Sequence, residues 1–162
     1  MNEALIENWN KCVQNDEHIY HLGDFAIIRA AGADQRKKEL DNILRRLQGQ
    51  IHLIQGNHDH QEVAHSKRFC EVKDYKRVVV ETQAIILHHY AYKTWHGSHK
   101  GSWNLHGHSH GSLPRDYNAR QLDIGVDCWN YKPVSFEEIR KEMEKHTFKP
   151  VDHHQDRSNK EL

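Results

Sequence analysis

The first apolar residues of the chain recur at helical spacing, which predicts an amphipathic helix that starts almost at residue 1. They are Leu5, Ile6, Trp9 and Val13. The run HIYHL comes next and predicts a strand, which ends in the polar step Gly23-Asp24. The beginning of the chain is therefore expected to fold as a helix followed by a strand with a polar tip.

A second helix and a second strand repeat this order. One apolar stripe predicts a helix over residues 34–48, with Gly49 placed as its C-terminal stop. The stripe consists of Leu40, Ile43, Leu44 and Leu47. The strand IHLI follows and runs directly into the polar tip QGNHD. Helices and strands in this alternation are typical of a layered α/β domain.

The second half of the chain is richer in strands. YKRVVVETQAIILHH predicts two strands around a tight turn, and WNLHGHSHG predicts a short strand that runs into a histidine cluster. RQLDIGVD predicts one more strand, and Ser135 with Glu138 forms a capping box that opens a final helix to about His146. Residues 149–162 are polar and aperiodic, so we expect one domain over residues 1–148 followed by a mobile tail.

Composition and charge narrow the class of function. Lys and Arg number 23 and Asp and Glu number 23, so the net charge is zero with histidine neutral. This balance argues against long nucleic acid or an anionic membrane as the partner. The three cysteines form no C-x-x-C pair, so neither a disulfide framework nor a thiolate zinc site is expected. No apolar run has the length of a membrane span and no signal-peptide pattern opens the chain, which predicts a cytoplasmic protein.

Metal-competent side chains follow four of the predicted strands. The chain has 16 histidines, and many lie in short clusters after apolar runs. The four tips are Gly23-Asp24, GNHD at 56–59, HHY at 88–90 and GHSH at 107–110. Because the carboxyl ends of strands in an open α/β sheet converge on one crevice, these groups can meet there. Each tip alone is ordinary turn chemistry. Their order and separation together predict a site for Mn, Fe, Zn, Co or Ni, cations that suit nitrogen and oxygen ligands.

Four stretches of the chain, HLGDF, GNHD, LHHYA and GHSHG, resemble the ordered motifs of the calcineurin-like metallophosphoesterases. The resemblance extends over about residues 1–146 and is greatest to the small stand-alone bacterial and phage members, whose segment before the last motif is similar to TWHGSHKGSWNLHGHSHG. It implies a β-sandwich flanked by helices in αββα layers. It also implies hydrolysis of phosphate esters with the help of two metal ions.

The resemblance implies a role for each residue that matches a family motif. Asp24 would bridge two metal ions, and His110 would bind the second of them. The first ion would be held by Asp24 together with three further side chains: Asn57, His89 and His108. His89 is preferred to His88 because the family histidine directly precedes a step similar to Tyr90-Ala91.

The resemblance also names groups that would act on the substrate. His58 would be the proton donor to the leaving oxygen, and Asp59 would orient it. Asp123 and Asp127 match the closing strand of the small members, where turn and capping duties are the favoured interpretation. Four loop residues are candidates to hold the substrate phosphate, and their interpretation as exposed loop residues is equally open. They are His96, His99, Lys100 and Arg115.

One family motif has no counterpart. The family opens with a strand ending in Asp-x-His, whereas the stretch MNEALIENWN resembles the helix that normally follows that strand. The sequence Asp16-Glu17-His18 leads into a strand rather than ending one. We therefore expect a fold without its first strand, one well-formed metal site, and a second site reduced to Asp24 and His110. Dimerisation, strand exchange or a partner chain would cover the gap, unless the gene product starts upstream of Met1.

Two functions remain open at this stage. The first is a metal-dependent phosphoesterase that hydrolyses a phosphate monoester or diester of a small molecule or nucleotide through a metal-activated water. The second is a degenerate family member, catalytically weak or inactive, that binds one metal and acts as an interaction protein. The missing Asp-x-His favours the second function. The His58-Asp59 pair favours the first, because a purely structural site needs no proton donor.

Overall fold

The computed structural model describes residues 2–147 and residue 149. It shows a mixed α/β fold of two sheets flanked by helices, which confirms the predicted fold class. The first half contains α1 (Asn2–Cys12), β1 (His18–His21), α2 (Ala33–Leu44), β2 (Gln50–Ile54), α3 (Gln61–Ala64) and β3 (Glu71–Lys73). The second half contains β4 (Tyr75–Val80), β5 (Gln83–His88), β6 (Trp103–His106), β7 (Gln121–Asp123) and α4 (Phe136–Met143).

The first sheet is parallel and has the strand order β1-β2-β3. The buried stripes of α1 and α2 pack on it, because the residues at helical spacing in both helices belong to the same core as the inward residues of β2. Members of this core include Trp9, Val13, Leu40, Leu44, Ile51 and Leu53. Parallel pairing of β1 with β2 brings the two polar tips that follow these strands to the same edge of the sheet.

The second sheet has the order β4-β5-β6-β7. Strands β4 and β5 form an antiparallel hairpin, whose turn places Glu81 in the left-handed region at φ 55°. Strands β5, β6 and β7 are parallel, so the tips after β5 and β6 also share one edge. The core of this sheet includes Leu22 and Ile54, from the ends of β1 and β2. The ends of the first sheet therefore pack into the core of the second.

Several predicted elements differ in detail from the structure. The helix predicted over 34–48 ends at Leu44, because the following amides bond to carbonyls three residues back and tighten the chain into a 3₁₀ turn. Gly49 lies in the turn before β2 at φ 96°, where a Cβ would lie 2.7 Å from a methyl of Val13. Helix α4 ends at Met143, before the predicted His146, while its capping box is confirmed. The short elements α3 and β3 were not predicted.

The two sheets present open edges to one cavity. Among the described residues, β1 pairs only with β2, and β7 pairs only with β6. A cavity of about 180 Å³ is lined by residues 19–24 along β1 and by residues 124–127 beyond β7. None of the helices in the described part of the chain is long and apolar enough to cross a membrane. The predicted tail at 149–162 lies outside the described residues, apart from Lys149.

Candidate metal centre

Four of the predicted side chains meet at the carboxyl ends of the strands. Asp24 follows β1, Asn57 follows β2, His89 follows β5 and His108 follows β6. The Nε2 atom of His89 lies 3.0 Å from Asn57 Oδ1, 3.2 Å from His108 Nδ1 and 3.4 Å from Asp24 Oδ2. One ligand atom from each of Asp24, His89 and His108 lies within 4.8 Å of the other two. We call these four residues the His89 cluster.

The tautomer of His89 is fixed by the main chain. Its Nδ1 donates a hydrogen bond of 2.6 Å to the carbonyl oxygen of Leu22, and a carbonyl can only accept. The neutral ring therefore presents a lone pair at Nε2, and the side chain is only 1% exposed. That lone pair faces the oxygens of Asn57 and Asp24, which are acceptors as well. Acceptors that converge on a buried imidazole suit a divalent cation, because a cation satisfies all of them at once.

Asp59 holds the two loops of the cluster together. Its Oδ2 accepts hydrogen bonds from the amides of Asp24 (2.9 Å) and Gly56 (2.8 Å), and its Oδ1 accepts one from the amide of Phe25 (2.7 Å). The amide of His58 in turn donates to Asp24 Oδ1 at 2.8 Å. Asp59 therefore joins the two loops through their main chains, and its orienting role toward the His58 ring stays a prediction.

The backbone at the cluster is close-packed and strained. Asp24 and His108 both have left-handed conformations, at φ 54° and φ 62°. Such conformations cost energy for residues with a side chain, although Asp and His tolerate them better than most. A Cβ on Gly56 would clash with Asp24 and would lie 2.9 Å from the His89 ring, so only glycine allows the β2 tip to come this close. Strained residues that persist in a packed setting are typical of functional sites.

The comparisons with known proteins give a family but no activity. No family model matches the chain. The chain is 30% identical over 150 residues to "Uncharacterized protein MJ1445" of Methanocaldococcus jannaschii, a match that covers 90% of this chain and 76% of the archaeal protein. The chain belongs to the MJ1445 family.

Two further proteins resemble this member of the MJ1445 family. "Gene 66 protein" of Mycobacterium phage D29 is 26% identical over 163 aligned positions, which cover 84% of this chain and 79% of the phage protein. The crystal structure of the protein of unknown function AQ665 from Aquifex aeolicus superimposes with a TM-score of 0.65 at 25% identity. That superposition covers 86% of this chain and 83% of the Aquifex chain.

His110, predicted as a ligand of a second ion, lies outside the His89 cluster in this MJ1445-family chain. It lines the 180 Å³ cavity together with Asp24 and His108. Its Nδ1 donates a hydrogen bond of 2.5 Å to Asp127 Oδ2. This hydrogen bond to Asp127 is the main reason that the pKa of His110 is raised above its usual value. Sequence reasoning did not assign this contact.

The candidate phosphate-binding residues lie on a 3₁₀ turn, in the loop before it and opposite α4. His99 and Lys100 lie on a 3₁₀ turn at Ser98–Lys100, and the main chain of His96 accepts a hydrogen bond from Ser102 at 2.8 Å. None of the three lines the 180 Å³ cavity beside Asp24. Arg115 forms an ion pair of 2.9 Å with Glu142 on α4. A role of these residues toward a substrate phosphate stays a prediction.

Proposed function

We propose that the protein is a metal-dependent phosphoesterase that hydrolyses a phosphate monoester or diester of a small molecule or nucleotide. The proposal rests on one observation, the convergence of the His89 cluster from four separate strand tips. Two imidazoles, a carboxylate and an amide oxygen form a donor set that suits Mn, Fe, Zn, Co or Ni. The sequence resemblance to the calcineurin-like metallophosphoesterases supports the same function.

The roles of the residues follow from their positions. Asp24, Asn57, His89 and His108 would hold the cation. When bound, a divalent cation polarises a phosphoryl oxygen and lowers the pKa of a bound water. His58 is exposed, and its amide donates a hydrogen bond to Asp24 Oδ1, so the residue adjoins the site. From there it gives its proton to the leaving oxygen.

A second candidate function is a protein that binds one metal and acts through interactions. The observation that favours it is the position of His110, which lies outside the His89 cluster. A second ion held only by Asp24 and His110 would be bound more weakly than the first. The open edges of β1 and β7 support a partner, either a second copy or another chain, that covers the cavity between them. The three cysteines are unpaired, which supports a cytoplasmic location.

The experiment is hydrolysis of an aryl phosphodiester and an aryl phosphomonoester in the presence of Mn²⁺ or Ni²⁺, with the metal content per chain measured on the same samples. We expect turnover in the wild type, loss of turnover in His58→Ala and Asp24→Asn, and loss of metal in Asp24→Asn only. His65→Ala, an exposed histidine that bonds to the main chain of Gln61, is the matched control and should keep full activity.

The outcomes separate the two functions. Metal bound at one ion per chain without turnover, under any of the metals and with either ester, would favour the interaction protein. A wild-type chain that binds no divalent cation would overturn the proposal altogether.

A further inference from the structure

We propose that Asp127 is a positioning residue that fixes the His110 ring with its proton on Nδ1, so that Nε2 is free to bind a second divalent cation in the cavity beside Asp24. This inference rests on the proposed function of the His89 cluster. It concerns a residue for which the sequence favoured an ordinary turn or capping role.

The contact joins two neighbouring strand tips. His110 follows β6, and Asp127 lies on the 3₁₀ turn at Val126–Cys128 that follows β7. Because β6 and β7 are parallel neighbours, both tips lie at the same edge of the sheet. There Asp127 Oδ2 lies 2.5 Å from His110 Nδ1. The backbone of His110 is left-handed at φ 47°, so its orientation is held at a cost in strain.

The turn that carries Asp127 is fixed by Asp123. Its two carboxylate oxygens accept hydrogen bonds from the amides of Gly111 (3.0 Å) and Gly125 (2.9 Å), one on each of the two tips. The indole of Trp129 donates to the carbonyl of Asp123 at 3.1 Å and ties down the far end of the turn. The main chain that carries Asp127 is therefore held in place by the fold. A surface ion pair between two free side chains would have no such support.

The consequence for His110 follows from donor and acceptor chemistry. An ionised carboxylate only accepts, so the proton of the contact lies on Nδ1 of the imidazole. The neutral ring then has its lone pair on Nε2, the state in which histidine binds a metal. Metal-binding histidines commonly donate their other ring nitrogen to a carboxylate in this way. The 180 Å³ cavity offers such a cation the carboxylate of Asp24 and the imidazole of His110.

The competing explanation is an ordinary surface pair. The side chains of His110 and Asp127 are 70% and 37% exposed, and exposed pairs of this kind contribute little to stability. Loss of stability therefore does not distinguish the two explanations. The affinity for a second ion does, since a surface pair alone would fix the same tautomer but would not affect cation binding.

The test compares Asp127→Ala and Asp127→Asn with the wild type. Asp116→Asn is the matched control, because Asp116 caps an exposed turn through the amide of Asn118 at 2.8 Å. The first measurement is the ¹⁵N spectrum of the His110 ring in metal-free protein at mildly alkaline pH. We expect the Nδ1–H tautomer in the wild type and in the control, and loss of that preference in Asp127→Ala. Asp127→Asn keeps one acceptor oxygen and should fall between them.

The second measurement is calorimetric titration with Mn²⁺. We expect the wild type to bind a first ion tightly and a second more weakly. Asp127→Ala should leave the first affinity unchanged and weaken the second about 10- to 100-fold, the usual effect of removing an outer partner of a metal ligand. An unchanged tautomer or an unchanged second affinity in Asp127→Ala would overturn the inference. A wild type that binds one ion only would overturn it too while leaving the proposed function intact, and a wild type that binds none would overturn both.

Discussion

Two pairs of histidines in this protein have ring nitrogens about equally far apart, yet only one of them resembles a metal site. His89 Nε2 and His108 Nδ1 are 3.2 Å apart, and His18 Nδ1 and His52 Nε2 are 2.9 Å apart. The first pair lies at the carboxyl ends of β5 and β6. The second lies across β1 and β2, where His52 stacks on Tyr20 with ring centroids 4.7 Å apart.

The surroundings of the two pairs differ in charge. His89 faces the carboxylate of Asp24 and the amide oxygen of Asn57, both of which attract a cation. Burial is the main reason that the pKa of His52 is lowered, and the nearby His18 and Lys76 lower it further. The positive charge of Lys76 would also repel a metal ion at this pair. Spacing alone therefore does not define a metal site. A fixed tautomer and acceptors on the remaining sides are needed as well.

The largest expected effect on Mn²⁺ binding comes from replacing one histidine of each pair in turn. His89→Gln should weaken Mn²⁺ binding by more than about 100-fold, because a direct ligand matters more than an outer partner. His52→Gln should leave binding unchanged. In wild type and in His52→Gln, free Mn²⁺ at about 100 times its Kd should stabilise the fold by about 2.7 kcal/mol, and a chelator should remove this stabilisation. Thermal unfolding with and without chelator measures it, and equal losses in both variants would contradict the comparison.

Another imidazole, that of His21, makes the stability of the region beside the cluster sensitive to acid. Burial is the main reason that its pKa is lowered to about 4, and its Nδ1 is buried without a hydrogen-bond partner. Below pH 6.5 the unfolded state binds a proton at this position and the folded state does not. Stability therefore falls as the pH drops from about 6.5 to about 4, by up to roughly 3 kcal/mol.

His21→Phe should remove this loss of stability in acid, because phenylalanine keeps the ring contacts with Trp9 and Phe25 but has no titratable group. The measurement is urea unfolding of metal-free protein across that pH range. His52→Gln is the control and should flatten the curve much less, because His52 is less deeply buried than His21. The same slope in wild type and His21→Phe would show that other groups take up the protons.

The third prediction compares two glycines, to test whether the cluster in particular needs the main chain of the β2 tip to lie close to Asp24 and His89. Gly56→Ala places a methyl group against Asp24 and the His89 ring, so we expect a loss of about 1–3 kcal/mol together with weaker metal binding. Gly32→Ala has no atom within 4 Å of the added Cβ, and its cost comes only from the left-handed φ of 90°. Denaturant unfolding and Mn²⁺ titration of both variants separate crowding from backbone strain. Normal Mn²⁺ binding in Gly56→Ala would show that the β2 tip can shift without harm.

The sequence predicted the parts of the fold that depend on local pattern. Strong apolar periodicity predicted α1, β1 and β2. The Ser-x-x-Glu pattern at Ser135 and Glu138 predicted the capping box that opens α4. The helix end at Leu44 and the three-residue strand β3 were not predictable, because a 3₁₀ turn and a strand pairing depend on tertiary contacts.

The candidate site divides in the same way. The four polar strand tips indicated that side chains would meet at one edge of the sheet, and the family resemblance singled out Asp24, Asn57, His89 and His108. Neither indicated that Leu22 fixes the His89 tautomer through a carbonyl, because a main-chain acceptor leaves no trace in residue identity. The bonds of Asp59 to three amides were hidden for the same reason. Two aspartates at and shortly after the end of β7, Asp123 and Asp127, were the available signal for the contact with His110.

The smallest expected effect tests the role of charge at the second pair. Lys76 lowers the pKa of His52 and also forms an ion pair with Glu71, which acts in the opposite direction. Lys76→Gln removes the repulsion and frees the Glu71 carboxylate, so the pKa of His52 should rise toward its ordinary value. Because a histidine with a lowered pKa destabilises the fold as the pH falls below about 6.5, the variant should lose less stability in mild acid, by under about 1 kcal/mol.

The titration of the His52 ring protons by NMR measures this change directly, with Lys73→Gln on the neighbouring strand as the matched control. A pKa of His52 that stays unchanged in Lys76→Gln would mean that burial and His18 set it without Lys76. The charge of Lys76 would then no longer help to explain why that pair is unsuited to a cation. A rise in the pKa would instead show that the charge around each pair matters. Positive charge then leaves His18 and His52 to share a hydrogen bond, while negative charge suits His89 and His108 to a cation.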